Sequence, residues 1–122
     1  MMSSKEKGDW AEKKAEHFYL KRGYRVLAEK YRYKHGEIDL IVAKGDLVRF
    51  IEVKARTGFT YGLPSQYVNY YKREHLRRTA KAFIFKNAEE LSNSNFVFDI
   101  AEISLYNRKI RILKNAFEIK EQ

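Results

Sequence analysis

The chain has 122 residues and a mass of 14.6 kDa, the size of one domain able to bury roughly two thirds of the surface its unfolded form exposes. Its 25 Lys and Arg outweigh 16 Asp and Glu, and the net charge of +9 predicts attraction to a polyanion such as nucleic acid or an anionic membrane. Cysteine is absent, which excludes disulfides, thiolate catalysis and thiolate metal sites together.

The opening MMSSKEKGDWAEKK lacks the apolar centre of a signal peptide, and no apolar run approaches the ~18 residues that span a bilayer, so a cytoplasmic protein without a membrane partner is expected. Over about 5–22, Trp10, Ala11, Ala15, Phe18 and Tyr19 recur at helical spacing, with Gly23 as a stop. Residues 24–29 alternate Tyr24, Val26 and Ala28 with Arg25, Leu27 and Glu29, as in a half-buried strand. The β-rich runs 36–43 and 47–56 are separated by Lys44, Gly45 and Asp46 and predict a hairpin.

Residues 57–63 hold Gly58 and Gly62 and read as a loop feeding a second helix over about 64–86, which opens on Pro64. That helix offers Tyr67, Tyr71, Leu76, Ala80 and Phe83 for burial, and Lys72, Arg73, Arg77, Arg78 and Lys81 for solvent or phosphate. Strands over 96–103 and 108–113 close the chain, with a turn at Tyr106 and Asn107. The order αβββαββ predicts an α/β fold in a single domain over 1–122, a mixed β-sheet flanked by helices.

With the hairpin turn centred between Lys44 and Gly45, Asp39 would face Phe50 and Glu37 would face Glu52. Alternation then puts Glu37, Asp39, Glu52 and Lys54 on one face, with Leu40, Val42, Ile51 and Val53 on the other. Asp39 and Glu52 become diagonal neighbours, roughly 7–8 Å apart at the backbone, a span that divalent cations bridge. His17, His35 and His75 are scattered without zinc-site spacing, so a metal here would be a hard cation on oxygen ligands, Mg²⁺ or Mn²⁺. Phosphodiester hydrolysis wants such an ion to polarise the phosphoryl oxygen, and a lysine to place water or stabilise charge. The plainer alternative is an exposed strand face on which Asp39 simply pairs with Lys54.

GEIDLIVA at 36–43 followed by FIEVKAR at 50–56 resembles the YraN-like family of small bacterial proteins, a branch of the PD-(D/E)XK nuclease superfamily related to Holliday-junction resolvases. The resemblance extends to Gly8, Glu12 and Ala15, to Gly23 and Tyr24, to Arg32, Gly62 and Lys72, and to FDIAEI at 98–103. It implies a restriction-endonuclease-like core, a metal on Asp39, Glu52 and the Val53 position, a catalytic lysine at Lys54 and an accessory acid at Glu12. Ala11 stands where the family usually has glycine, and Lys30 where it often has asparagine.

Glu37 is an accessory candidate, as are Gln66 and Tyr70, whose Q-x-x-x-Y spacing puts both on one helical face. His35 reads as a solvated loop residue and Asp99 as a buried structural partner. Arg32, Lys34 and Arg56 flank the motif and, with Lys72, Arg73, Arg77 and Arg78, form the expected nucleic-acid-binding set. The function expected is metal-dependent hydrolysis of DNA, structure-selective by analogy with resolvases. A non-catalytic nucleic-acid-binding module and an RNA-directed nuclease are the alternatives, and a homodimer is the oligomer that the analogy suggests.

Overall fold

A computed structural model describes residues 1–57, 70–117 and 119. Its elements run α1 (Ser4–Lys21), β1 (Arg25–Tyr33), β2 (Gly36–Lys44), β3 (Leu47–Arg56), α2 (Tyr70–Lys86), β4 (Asn95–Ser104) and β5 (Ile110–Leu113), the αβββαββ order that the sequence predicts. Gln66, Tyr67 and the expected 57–63 loop, Thr57 excepted, lie outside the described residues, as does the Pro64 start of the second helix.

Helix α1 begins on a capping box. The Glu6 amide donates to Ser3 Oγ at 3.1 Å, and the Ser3 amide donates to Glu6 Oε1 at 2.8 Å, which satisfies two of the amides that a helix start leaves without partners. Strand β1 runs past Glu29 to Tyr33, beyond the expected end. Residues 30–33 carry polar and amphipathic side chains along a sheet edge, so periodicity does not mark them.

The sheet has the order β1-β2-β3-β4-β5, antiparallel except for the parallel β3–β4 pair. Helix α2 makes the crossover between those two strands, since parallel neighbours need a long connection. Alternating residues feed two cores. Ile41, Ala43, Val48 and Phe50 pack with Leu76, Ala80 and Phe83 of α2, while Leu40, Val42 and Ile51 pack with Ala11, Ala15 and Tyr19 of α1.

Leu47 pairs with Lys44, not with a residue further back, so the hairpin turn is the two residues Gly45 and Asp46. Gly45 has φ +58, the left-handed backbone that tight hairpins ask of glycine. The register therefore shifts by two from the expected one, and Ile41 lies across from Phe50. An even shift leaves the side chains from Asp39 onward on their faces, while Ile38 packs with Ile41 and Phe50 and not with Leu40 and Val42, so strict alternation ends at Asp39. The shift also moves the line of Asp39 from diagonal to directly opposite Glu52.

Under α2 the backbones of helix and strand nearly touch. A Cβ on Gly36 would stand 2.1 Å from Thr79 Oγ1 and 2.7 Å from the His75 carbonyl oxygen. Gly36→Ala should force β2 and α2 apart, destabilising the fold by on the order of 1–3 kcal/mol and lowering the urea midpoint. An unchanged midpoint would show that the two elements do not meet there in solution.

Candidate active site

The site forms where β2 leaves β3 while staying paired with β1. Pairing between β2 and β3 stops at Leu40 and Ile51, and the β1–β2 register passes over Lys30 and Asp39. Lys30 takes φ +49, a conformation that asparagine adopts more readily than lysine. Asp39 Oδ2 then accepts a hydrogen bond from the Val53 amide at 2.7 Å. A carboxylate stands in for the backbone acceptor that the departing strand has withdrawn.

A cavity of about 280 Å³ opens beside this break, lined by His35, Gly36, Glu37, Asp39, Glu52, Val53, Lys72, His75 and Leu76. Glu52 is only 3% exposed, which removes the reading of a solvated strand face. Its Oε2 lies 3.3 Å from Lys54 Nζ and 3.0 Å from Lys72 Nζ. Lys54 thus pairs with Glu52, not with Asp39.

Burial, reinforced by the neighbouring Glu52 charge and a hydrogen bond to Glu52, pushes the Asp39 pKa up to about 8, against the pull of the Val53 amide. The Lys72 amine is pressed down by burial, but Glu52, and then Asp39 and Glu37, raise its pKa on balance. Glu12 belongs to the same electrostatic neighbourhood, since its charge adds to the rise at Asp39. Its carboxylate is engaged by Lys30, 2.8 Å away.

The expected binding residues divide. Lys72 enters the cavity as a partner of Glu52, and Glu37 lines the cavity while pairing with Arg32. Lys34 and Arg78 are exposed, and Arg73 is half-buried. Arg77, expected on solvent or phosphate, is instead turned inward. Its guanidinium pairs with Glu74 at 2.6 Å and sits 5.5 Å from the centre of the Phe117 ring. Arg56 is drawn to the fully buried Glu102, whose Oε2 lies 3.5 Å from Arg56 Nε and which also pairs with Arg111. Glu102 stands on another strand, so the pattern around Arg56 gives no sign of it, whereas Glu74 is an i,i+3 neighbour of Arg77 on α2 and its pairing is open to a helical reading.

Tyr70 is 55% exposed, outside the cavity lining, and rests edge-on against Tyr71. Asp99 is fully buried as expected, bound by Arg49 at 2.9 Å and by the Tyr19 hydroxyl at 2.8 Å. The sequence reading missed His75, which lines the cavity and meets His35 edge-to-face with ring centres 6.0 Å apart. Lys72, His75 and Leu76 share a helical face, but nothing in their spacing says that this face closes over Glu52.

The oxygen donors fit a hard divalent cation. Among the described residues no three His, Asp or Glu side chains are grouped as an all-protein cage. Asp39 and Glu52, which line the cavity together, are the carboxylate donors that a hard cation keeping several waters takes. No helix among the described residues is long and apolar enough to cross a membrane.

Residues 11–103 match the model of the Uncharacterised protein family UPF0102. The chain is 39% identical over 116 residues to a UPF0102 protein of Clostridioides difficile, covering 95% of this chain and 100% of that one. It is 40% identical over 120 residues to one of Clostridium acetobutylicum, covering 95% and 97%. A relative from Alkaliphilus metalliredigens is 39% identical over 115 residues, covering 93% and 99%.

The raised Asp39 pKa has a sign that can be measured. In the metal-free chain the folded state holds a proton on Asp39 up to about pH 8, while the unfolded chain releases it near pH 3.9. Stability is thus fullest below the unfolded pKa and falls as pH rises through the window to about 8. Asp39→Asn keeps an acceptor for the Val53 amide and cannot ionise, so in EDTA at pH 8.5 it should melt higher than wild type by roughly 3–8 °C. A variant melting at or below wild type there would refute this placement of the carboxyl.

Proposed function

The chain belongs to the Uncharacterised protein family UPF0102, the YraN family, and from that premise we propose that it is a metal-dependent nuclease hydrolysing DNA phosphodiester bonds. The observation that carries this reading is the junction of Asp39, Glu52 and Lys72 in one cavity, with Lys54 paired to Glu52 beside it. A purely structural cluster has no need to hold two carboxyl groups together at the cost of a displaced pKa.

Asp39, Glu52 and the Val53 carbonyl would hold Mg²⁺ or Mn²⁺. Such an ion, when bound, supplies Lewis acidity at the phosphoryl oxygen and an attacking water of lowered pKa. The protein's own groups do the rest. The Val53 amide fixes one oxygen of Asp39, and Glu52 anchors both lysines. Lys54, an ammonium with donors only, is placed to orient water and to stabilise charge as water adds to phosphorus and the P–O ester bond breaks. Lys72 balances Glu52 in the resting site, and its amine would also serve a phosphate oxygen that enters the cavity. Glu12, held by Lys30, is an accessory acid that stabilises Lys30 beside the break in β2.

Cleavage of linear, nicked and four-way-junction DNA under Mg²⁺ or Mn²⁺ tests the reading directly. Binding without cleavage of any of them would favour a non-catalytic module, and cleavage of RNA alone would favour an RNA-directed enzyme. Lys54→Met keeps most of the stem's packing and removes the charge. Fold, metal-induced shift in Tm and much of the DNA affinity should survive, while single-turnover cleavage falls by on the order of 10²–10³. Wild-type cleavage by this variant would make Lys54 a bystander.

A further inference from the structure

A second groove, of about 770 Å³, lies on the outer side of α2 and is lined by Tyr31, Tyr33, Lys34, Arg78, Lys81, Ala82, Phe85 and Lys86. Three aromatic rings alternate with four cations, and no acidic residue lines it among the described residues. None of the four cations makes an ion pair among the described residues. Phe85 is 85% exposed and Tyr33 38% exposed. Tyr31 is anchored edge-on against Phe83, with ring centres 5.1 Å apart, and Lys34 Nζ sits 5.3 Å from the centre of the Tyr33 ring.

We propose that this groove binds an unpaired single strand of DNA, stacking its bases on Phe85 and Tyr33 and neutralising its phosphates with Lys34, Arg78, Lys81 and Lys86. The inference rests on the nuclease reading for its choice of DNA and extends that reading to a substrate with an unpaired segment. A duplex keeps its bases stacked inside and meets a protein through phosphates and groove edges, so it has no use for exposed rings. A single strand offers both faces of each base, and aromatic platforms in a cationic groove are the surface that takes them. An apolar protein partner would use the rings but leave four cations facing it unpaired, at a desolvation cost.

Two connections tie the groove to the cavity. The β1–β2 turn presents Tyr33 and Lys34 to the groove and His35 and Gly36 to the cavity. Helix α2 carries Lys72 and His75 at the cavity and Lys81 and Phe85 at the groove. From His75 to Phe85 the helix advances roughly 15 Å, so a strand leaving the groove along α2 arrives at Asp39 and Glu52.

The test is fluorescence anisotropy in EDTA, which removes turnover, with three labelled probes: an oligothymidylate of about 15 nucleotides, an abasic oligonucleotide of the same length, and a blunt hairpin duplex. Wild type should bind the oligothymidylate more tightly than the equally charged abasic strand. Phe85→Ala and Tyr33→Ala should each weaken oligothymidylate binding by roughly 5- to 100-fold, with little change for the abasic or duplex probes, and Phe85→Tyr should restore it. Both truncated side chains are exposed, so thermal melting should be near wild type. Equal binding of the abasic and base-bearing strands, or alanine variants that lose affinity for all three probes alike, would overturn the groove. Tighter binding of oligouridylate than of oligothymidylate would overturn the choice of DNA. A wild type that holds the oligothymidylate through Phe85 yet cuts no DNA under Mg²⁺ or Mn²⁺ would leave the groove standing and sink the nuclease reading.

Discussion

Two carboxyl groups held side by side repel, and the surroundings of Asp39 and Glu52 are arranged around that repulsion. Part of the relief comes from a proton, retained on Asp39 to about pH 8. Part comes from the Val53 amide on one oxygen of Asp39. The remainder falls on Glu52, whose buried carboxylate is met by Lys54 from its own strand and by Lys72 from α2. Each compensating group comes from a different structural decision: a strand leaving its ladder, a strand continuing past it, and a helix crossing above. The site is consequently sensitive to the spacing of β2, β3 and α2 as a set, and Gly36 fixes the tightest of those spacings.

Much of this was legible in the sequence, and the limits have physical causes. Alternation put Asp39, Glu52 and Lys54 on one face correctly even though the turn was placed wrongly, because a register error of two residues preserves facing while an error of one would have inverted it. What alternation could not supply was the end of the β2–β3 ladder at Leu40, beside the place where β1 takes a left-handed backbone at Lys30. Lys72 and Arg56 read as phosphate contacts for one reason. A linear pattern marks a cation, but which acid it meets depends on packing between elements distant in sequence. Asp99 was the converse case, an acid flanked by Phe98 and Ile100, where local apolarity alone demands a buried partner.

The opposite face of the sheet supplies rigidity. Arg49 and Asp99 lie in neighbouring parallel strands and meet in a buried ion pair. The Tyr19 hydroxyl donates to the same carboxylate from α1, and the Tyr24 hydroxyl accepts from Arg49 Nε at 2.9 Å. A buried pair with its remaining hydrogen bonds satisfied contributes little net stability but resists rearrangement, because removing any partner strands a charge. The network therefore pins β3 to β4 and α1 from the side away from the cavity. Glu52 and Lys54, on the facing side of the same β3, are carried by a strand that cannot easily slide.

The asymmetry of α2 follows from the same economy of parts. Its inner stripe, Leu76, Ala80 and Phe83, is buried in the sheet core, and Thr79 meets Gly36. One flank, at Lys72 and His75, finishes the cavity, while the outer flank at Arg78, Lys81 and Phe85 is left to water. An outer flank whose only task was solubility would favour interspersed charges of both signs and would not expose a phenylalanine ring beside three cations. A helix that both lines the cavity and presents rings and positive charge along its length would couple the position of a bound polyanion to the counter-charge on Glu52. Any polyanion lying along α2 lowers the cost of the positive charges gathered there. Its grip on the helix thus acts on Lys72 through the field as well as through contact.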